Sequence, residues 1–258
     1  MLQLVLGRAG TGKTEYVFSS IRRLIENGED NILLITPEQF SFIAERRLLT
    51  DLGEADIGKV ESTSFTRLAG EITKQYGGDR LPVLTKGAKA VMMKRAVEAV
   101  QDSLVLFRKN ITSPSFISSA VKIYDEMKSC RVSSEDFLEA AENTEREILS
   151  GKLKDIALMI SAYDALIKDE YYDSAEELTR LYEKLLGLNY FSGRTVFIDG
   201  FSGFVAQEYK VLEVILAQAK AVYITLCTDS AVNRESFDLF SYVNSNIGIL
   251  NDVTDRSE

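Results

Sequence analysis

The sequence predicts an α/β protein, a parallel sheet flanked by helices with a block of helices inserted between its strands. Three observations carry this. Short apolar runs alternate with helix-period segments over residues 1–70, the alternation gives way to helical periodicity alone between about residues 86 and 187, and it resumes at Arg194. Strands followed by helices imply parallel pairing through right-handed crossovers. Residues 1–85 and 190–258 are therefore expected to form one discontinuous α/β domain, and residues 86–189 a helical insertion subdomain.

Leu2–Leu6 reads as the first strand and runs into Gly7-Arg8-Ala9-Gly10-Thr11-Gly12-Lys13-Thr14, with the spacing G-x-x-x-x-G-K-T. Glycines at 7, 10 and 12 let the backbone adopt conformations closed to other residues, so that its N–H groups can ring a phosphate. The segment Thr14–Asn27 carries Val17, Ile21 and Leu24 on one face and predicts a helix whose positive dipole end meets that anion. Lys13 would reach the β- and γ-phosphates and the Thr14 hydroxyl would ligate Mg²⁺. Asn31–Thr36 is a continuous apolar strand of the kind buried on both faces, ended by Pro37. Phe40–Leu52 predicts a helix, Lys59–Ser62 a short strand and Phe65–Tyr76 another helix.

In the helical block, Ser113–Pro114 suits a cap and first-turn pair, and Ser133/Asp136 and Ser174/Glu177 have capping-box spacing. Ile117, Ala120, Val121, Tyr124 and Met127 form one apolar stripe, and Leu153, Ile156, Ala157, Ile160 and Ile167 another; both read as core. Arg194–Asp199 is then a strand ending in an acid, Val205–Ala219 a helix and Ala221–Leu226 a strand. Residues 229–258 are polar and lack periodicity, and the chain stops where such a domain would still lack strands, so a piece of a longer protein is expected.

Composition narrows the chemistry. The 258 residues are 45% hydrophobic and 27% charged, ordinary for a globular protein. No apolar run approaches the roughly 20 residues needed to cross a bilayer, and no signal-peptide pattern opens the chain, so no membrane partner and a cytoplasmic location are expected. There is no histidine, which removes His general bases and Cys/His zinc sites. Cys130 and Cys227 are isolated and read as buried small apolar residues. A net charge of −9 argues against a whole-surface grip on nucleic acid and leaves local patches open.

A phosphate site of this type needs an acid at the end of a neighbouring strand to hold the water shell of Mg²⁺, and Asp199 fits. In hydrolytic helicases the next residue is usually a glutamate that orients the attacking water. Here it is Gly200, so no catalytic base is assigned and hydrolysis is expected to be weak or absent.

The phosphate loop, Thr36-Pro-Glu-Gln-Phe-Ser-Phe42 with Glu45, Ser64-Phe-Thr-Arg-Leu-Ala69 and Phe197-Ile-Asp-Gly-Phe-Ser-Gly-Phe204 occur in one order. Together they resemble the N-terminal region of the AddB (RexB) family, the B subunits of bacterial AddAB helicase–nucleases. The resemblance implies a first motor-like domain of a superfamily 1 helicase, with ATP and Mg²⁺ as ligands. It implies an AddA partner, action on broken double-stranded DNA ends in recombinational repair, and reading of Chi on a single strand. It places a nuclease and a 4Fe–4S cluster in a C-terminal region outside this sequence. By motif position it implies DNA contact at Thr36, Glu38, Gln39, Phe65, Arg67 and Phe204: Phe rings can stack bases, Gln39 can pair with a base edge, and Arg67 can hold phosphate or guanine. Three readings remain open: a DNA-binding subunit region with weak or no turnover, an active NTPase (helicase or P-loop kinase), and a scaffold with a vestigial phosphate loop.

Overall fold

In the computed structural model of the protein, residues 1–77, 81–229 and 240–257 are described, the side chains of residues 254–257 excepted. The chain divides into two compact units, Met1–Gly77 with Leu178–Glu258, and Gly78–Glu177.

The first unit is built on five strands, β1 (Leu2–Gly7), β2 (Ile32–Ile35), β3 (Val60–Thr63), β4 (Thr195–Ile198) and β5 (Ala221–Cys227). They pair in the order β1-β5-β4-β2-β3, and every pairing is parallel. The α/β fold with a parallel sheet expected from the alternation is present. Both faces are covered, and the period of two along each strand decides what goes where. Ile32, Leu34 and Phe197 pack with Val17, Phe18 and Ile21 of α1 (Lys13–Glu26) and Ala44 and Leu48 of α2 (Glu38–Asp56). Leu33, Ile35, Val196 and Ile198 pack on the other side, with α3 (Phe65–Tyr76) and α9 (Ala206–Gln218).

The second unit holds α4 (Lys86–Val100), α5 (Pro114–Cys130), α6 (Ser134–Glu142) and α7 (Glu147–Ile167) around its own core. Ile117, Ala120, Tyr124 and Met127 are buried on one stripe and Ala157, Ile160 and Ile167 on another, as the spacing predicts. Two polar devices hold this unit. Asp155, buried on α7, accepts the backbone N–H groups of Val105, Leu106 and Phe107 at 2.8–2.9 Å. Lys89, buried on α4, donates to Asp125 at 2.7 Å and to Asp173 at 2.5 Å, while Tyr163 donates to the other Asp173 oxygen at 2.7 Å. Burial works against the Lys89 charge, but the two carboxylates overcome it and raise its pKa above the usual lysine value.

Several local expectations are corrected. α8 (Glu177–Leu185) lies in the range read as helical insertion, but its Leu181 and Leu185 are buried in the core of the sheet unit. At the expected Ser174/Glu177 box it is Asp173 that takes the capping position, accepting from the Ala175 N–H at 2.8 Å. Pro114 occupies the first turn of α5, but the Ser113 hydroxyl pairs with that of Ser115 at 2.8 Å rather than with a backbone N–H. The Ser133/Asp136 capping box is present. Cys130 is exposed and Cys227 half-buried, and both are free. Residues 241–257, read as polar and aperiodic, form α10 (Ser241–Ser257), with Val243, Ile247 and Leu250 in the sheet core. Its buried Asn244 and Asn246 hide the pattern: Asn246 accepts from the Phe204 N–H at 3.0 Å and from the Tyr209 hydroxyl, and Asn244 from the Thr228 hydroxyl at 2.8 Å. Residues 230–239 and 258, part of the same reading, lie outside the described residues.

Removing one partner of a buried ion pair strands the other. Lys89→Met should therefore cost about 3–5 kcal/mol in chemical denaturation, because it leaves the Asp173 carboxylate buried and without its cation.

Candidate functional site

Each segment singled out in the sequence follows the carboxyl end of a strand: Gly7–Thr14 after β1, Thr36–Gln39 after β2, Ser64–Arg67 after β3 and Asp199–Gly200 after β4. The chain leaves β2 through α2 towards β3 and leaves β4 through α9 towards β5, on opposite faces of adjacent strands. Such a switch point opens a crevice beyond the strand ends, where α/β proteins bind ligands. The crevice here is a cavity of about 220 Å³ lined by Thr14, Phe18, Thr36, Phe40, Ile43, Ala44, Arg47, Asp199 and Gly200.

The loop before α1 has the form its glycines permit. Gly10 and Gly12 sit at φ 77° and 90°, and Gly12 caps α1 with its carbonyl accepting the Tyr16 N–H at 2.8 Å. Gly7 is needed for a different reason than expected. Its φ is not positive, but a Cβ there would lie 2.4 Å from the Thr11 hydroxyl. That hydroxyl donates to the Arg8 carbonyl at 2.8 Å, and the Lys13 ammonium donates to the carbonyls of Gly7 and Arg8 at 2.7 and 2.9 Å. Lys13 thus lies folded over the loop, a cation held by carbonyl oxygens that an anion can outcompete. Arg8 is mostly exposed and pairs with Asp229 at 2.9 Å; Ala9 and Thr14 are also exposed.

Asp199 is buried at the end of β4, and its N–H donates to the Ile35 carbonyl at 3.0 Å. The Thr225 hydroxyl donates to one carboxylate oxygen of Asp199 and accepts the Gly200 N–H at 3.4 Å. Sequence reasoning did not single out Thr225; only the position of β5 between β1 and β4 brings it there. Gly200 has φ +86°, and a Cβ would lie 3.4 Å from Pro37 Cδ and 3.7 Å from a Phe40 ring carbon. A glutamate at 200 would cost about 1–2 kcal/mol in backbone strain and crowd Pro37, so this strand end is shaped around glycine.

Oxygen donors suit magnesium, and Thr14 and Asp199 face one cavity. Among the described residues no cluster of three or more His, Cys, Asp or Glu could hold a metal alone. The arrangement therefore fits a cation that brings waters and phosphate oxygens with it.

The residues expected to touch DNA divide. Gln39 is exposed on the first turn of α2. Arg67 is about 40% exposed and paired with Glu45, which raises its pKa through a hydrogen bond and its charge. Glu38 accepts from the Ser64 hydroxyl, which in turn accepts the Arg67 N–H at 3.2 Å and so caps α3. Glu38, itself exposed, thus joins two helix starts. Thr36 is 4% exposed and lines the cavity instead of the outer surface. Phe65 and Phe204 are each 4% exposed and meet edge to face, with Phe201 against both. Neither ring offers a free face to a base, which corrects their reading as stacking platforms: they are core.

The protein-family profile described as "ADDB, N-terminal" matches residues 4–258 of the chain. A Clostridium tetani protein, named as the B subunit of an ATP-dependent helicase/deoxyribonuclease, is 35% identical over 241 residues, 92% of this chain and 21% of that protein. Proteins of the same name from Ruminiclostridium cellulolyticum and Clostridium kluyveri are 35% and 32% identical, over 92% and 93% of this chain and 21% of each relative. The chain thus spans about a fifth of the length of these relatives.

Adding a methyl group at Gly7 must push Thr11 aside. Gly7→Ala should cost about 1–3 kcal/mol in thermal or urea unfolding, and Thr11→Ala added to it should recover most of that loss.

Proposed function

This chain belongs to the family of AddB N-terminal regions, and we propose that it is the nucleotide- and DNA-binding head of the B subunit of an ATP-dependent helicase/deoxyribonuclease. In this reading the complete subunit pairs with an AddA-type partner and works on broken double-stranded ends in recombinational repair. The head grips ATP and touches the unwound single strand, where Chi is read, with weak or no turnover of its own. One observation carries the nucleotide reading: Thr14, the last residue of the glycine-rich loop, and the acid Asp199 line a single switch-point cavity.

The residues divide the work. Backbone N–H groups of the loop and the first turn of α1 face the phosphates. Lys13 leaves the Gly7 and Arg8 carbonyls for the β- and γ-phosphate oxygens, trading neutral acceptors for charged ones. Thr14 and Asp199 hold bound Mg²⁺ and its water shell; the ion, when present, neutralises phosphate charge. At Gly200 there is no group to accept a proton from water, so the site favours holding nucleotide over hydrolysing it. On the DNA side, Gln39 offers an amide able to pair with a base edge. Arg67 offers a guanidinium that Glu45 holds only as an exposed pair, and such pairs are worth little, so a phosphate or guanine can take it over. Phe65 and Phe204 serve by keeping α3 and the loop after β4 rigid.

Nucleotide affinity and turnover, measured with and without single-stranded DNA, test the first half. Wild type should bind ATP with Mg²⁺ and hydrolyse it slowly or not at all. Lys13→Ala should weaken binding by about 10- to 100-fold, the loss of charge-assisted hydrogen bonds. Rapid DNA-stimulated turnover abolished by Lys13→Ala would instead make this an active motor, and absence of millimolar affinity would make the loop vestigial. For DNA, Arg67→Ala should weaken single-strand binding by about 3- to 10-fold and Glu45→Gln should strengthen it, both read by fluorescence anisotropy.

A further inference from the structure

Thr36 has a hydroxyl for which the fold has no use. It is 4% exposed, and its Oγ1 is buried without a hydrogen-bond partner, a state that costs stability relative to a satisfied group. Its place in the sheet says what the hydroxyl faces. The Thr36 N–H donates to the Thr63 carbonyl at 3.0 Å, so the β2 ladder continues one residue past Ile35. Side chains alternate along a strand, which puts Thr36 on the face of Ile32 and Leu34, towards α1 and α2. By the same count Asp199 shares the face of Phe197, and Thr225 that of Tyr223.

The registers Ile35↔Ile198 and Ile198↔Ile224 then make Thr225, Asp199 and Thr36 neighbours in one row across β5, β4 and β2. Neighbouring strands are about 4.8 Å apart. Thr225 is fully employed, donating to Asp199 and accepting from Gly200. Thr36 flanks the carboxylate on the other side, and it lines the same cavity as Thr14 and Asp199.

We propose that Thr36 is a positioning residue of the nucleotide site: its hydroxyl hydrogen-bonds a water in the shell of the Mg²⁺ that Thr14 and Asp199 flank, rather than contacting DNA. The proposal rests on the reading of Gly7–Thr14 as a nucleotide phosphate site. It gives the buried hydroxyl a partner that arrives only with the ligand. Rotation about χ1 carries the Thr36 hydroxyl from one staggered position to the next, so it can turn to the cavity without backbone movement.

The test compares affinity for ATP in excess Mg²⁺ and in EDTA, by isothermal titration calorimetry, for wild type, Thr36→Val, Thr36→Ser and Lys13→Ala. Thr36→Val keeps the shape and removes only an unsatisfied atom, so its melting temperature should equal or exceed that of wild type. It should weaken binding about 3- to 10-fold in Mg²⁺ and leave binding in EDTA unchanged, with Thr36→Ser restoring the Mg²⁺ value to within about 2-fold. An unchanged Mg²⁺ affinity in Thr36→Val overturns the proposal, while the loss in Lys13→Ala shows that the phosphate site itself stands. Equal weakening in Mg²⁺ and EDTA overturns it in favour of a structural role. Loss of single-stranded DNA binding with Mg²⁺–ATP affinity intact overturns it in favour of a DNA contact. Failure of wild type to bind ATP overturns both the phosphate-site reading and the proposal with it.

Discussion

Thr225 donates its hydroxyl to Asp199 across the β5–β4 ladder, and the Gly200 N–H returns a hydrogen bond to the same oxygen. The closed loop holds the carboxylate at the wall of the cavity that Thr14 also lines. The geometry exists because β5 is threaded between β1 and β4, so the sheet order is itself part of the site. Parallel pairing then delivers the segments after β1, β2, β3 and β4 to one edge, since each follows a strand's carboxyl end.

The same edge explains the handling of aromatic residues. Phe65, Phe201 and Phe204 come from the segments after β3 and β4 and pack against one another instead of facing outward. Tyr209 joins Phe204 edge to face, and Asn246 of α10 accepts the Phe204 N–H. The loop carrying Asp199 and Gly200 is thereby tied to the body of the sheet unit on its far side. Polar groups with charge or amide chemistry, Gln39 and Arg67, remain at the surface.

Much of this is legible in the chain. Most of the strands, the glycine-rich loop and the acid at 199 sit in local patterns: short apolar runs, a glycine spacing, a strand-terminal aspartate. α10 is not legible, because its apolar residues are interleaved with asparagines that look like loop residues and are in fact buried and bonded. Exposure of Cys130 escapes a sequence reading because apolar side-chain chemistry does not say which face of a helix a residue occupies. The requirement for glycine at position 7 can be guessed, but its cause cannot, since the clash is with a side chain four residues on. By family resemblance Thr36 reads as a DNA contact, and in sequence Thr225 reads as plain strand. Their alignment with Asp199 depends on which strands are neighbours, and strand order is not written in any local window.

The pairing of Arg67 with Glu45 has a consequence for how a nucleic acid would be felt by the solvent. A phosphate that captured an unpaired guanidinium would release a condensed counterion, and affinity would fall as salt rose. Here the guanidinium already has a carboxylate. Breaking that exposed pair costs only its small Coulomb energy, and an isolated carboxylate does not condense counterions as a polyanion does. A nucleic acid meeting Arg67 would therefore still bind more weakly as salt rose, and on a chain of net charge −9 it would have to win that cation from Glu45.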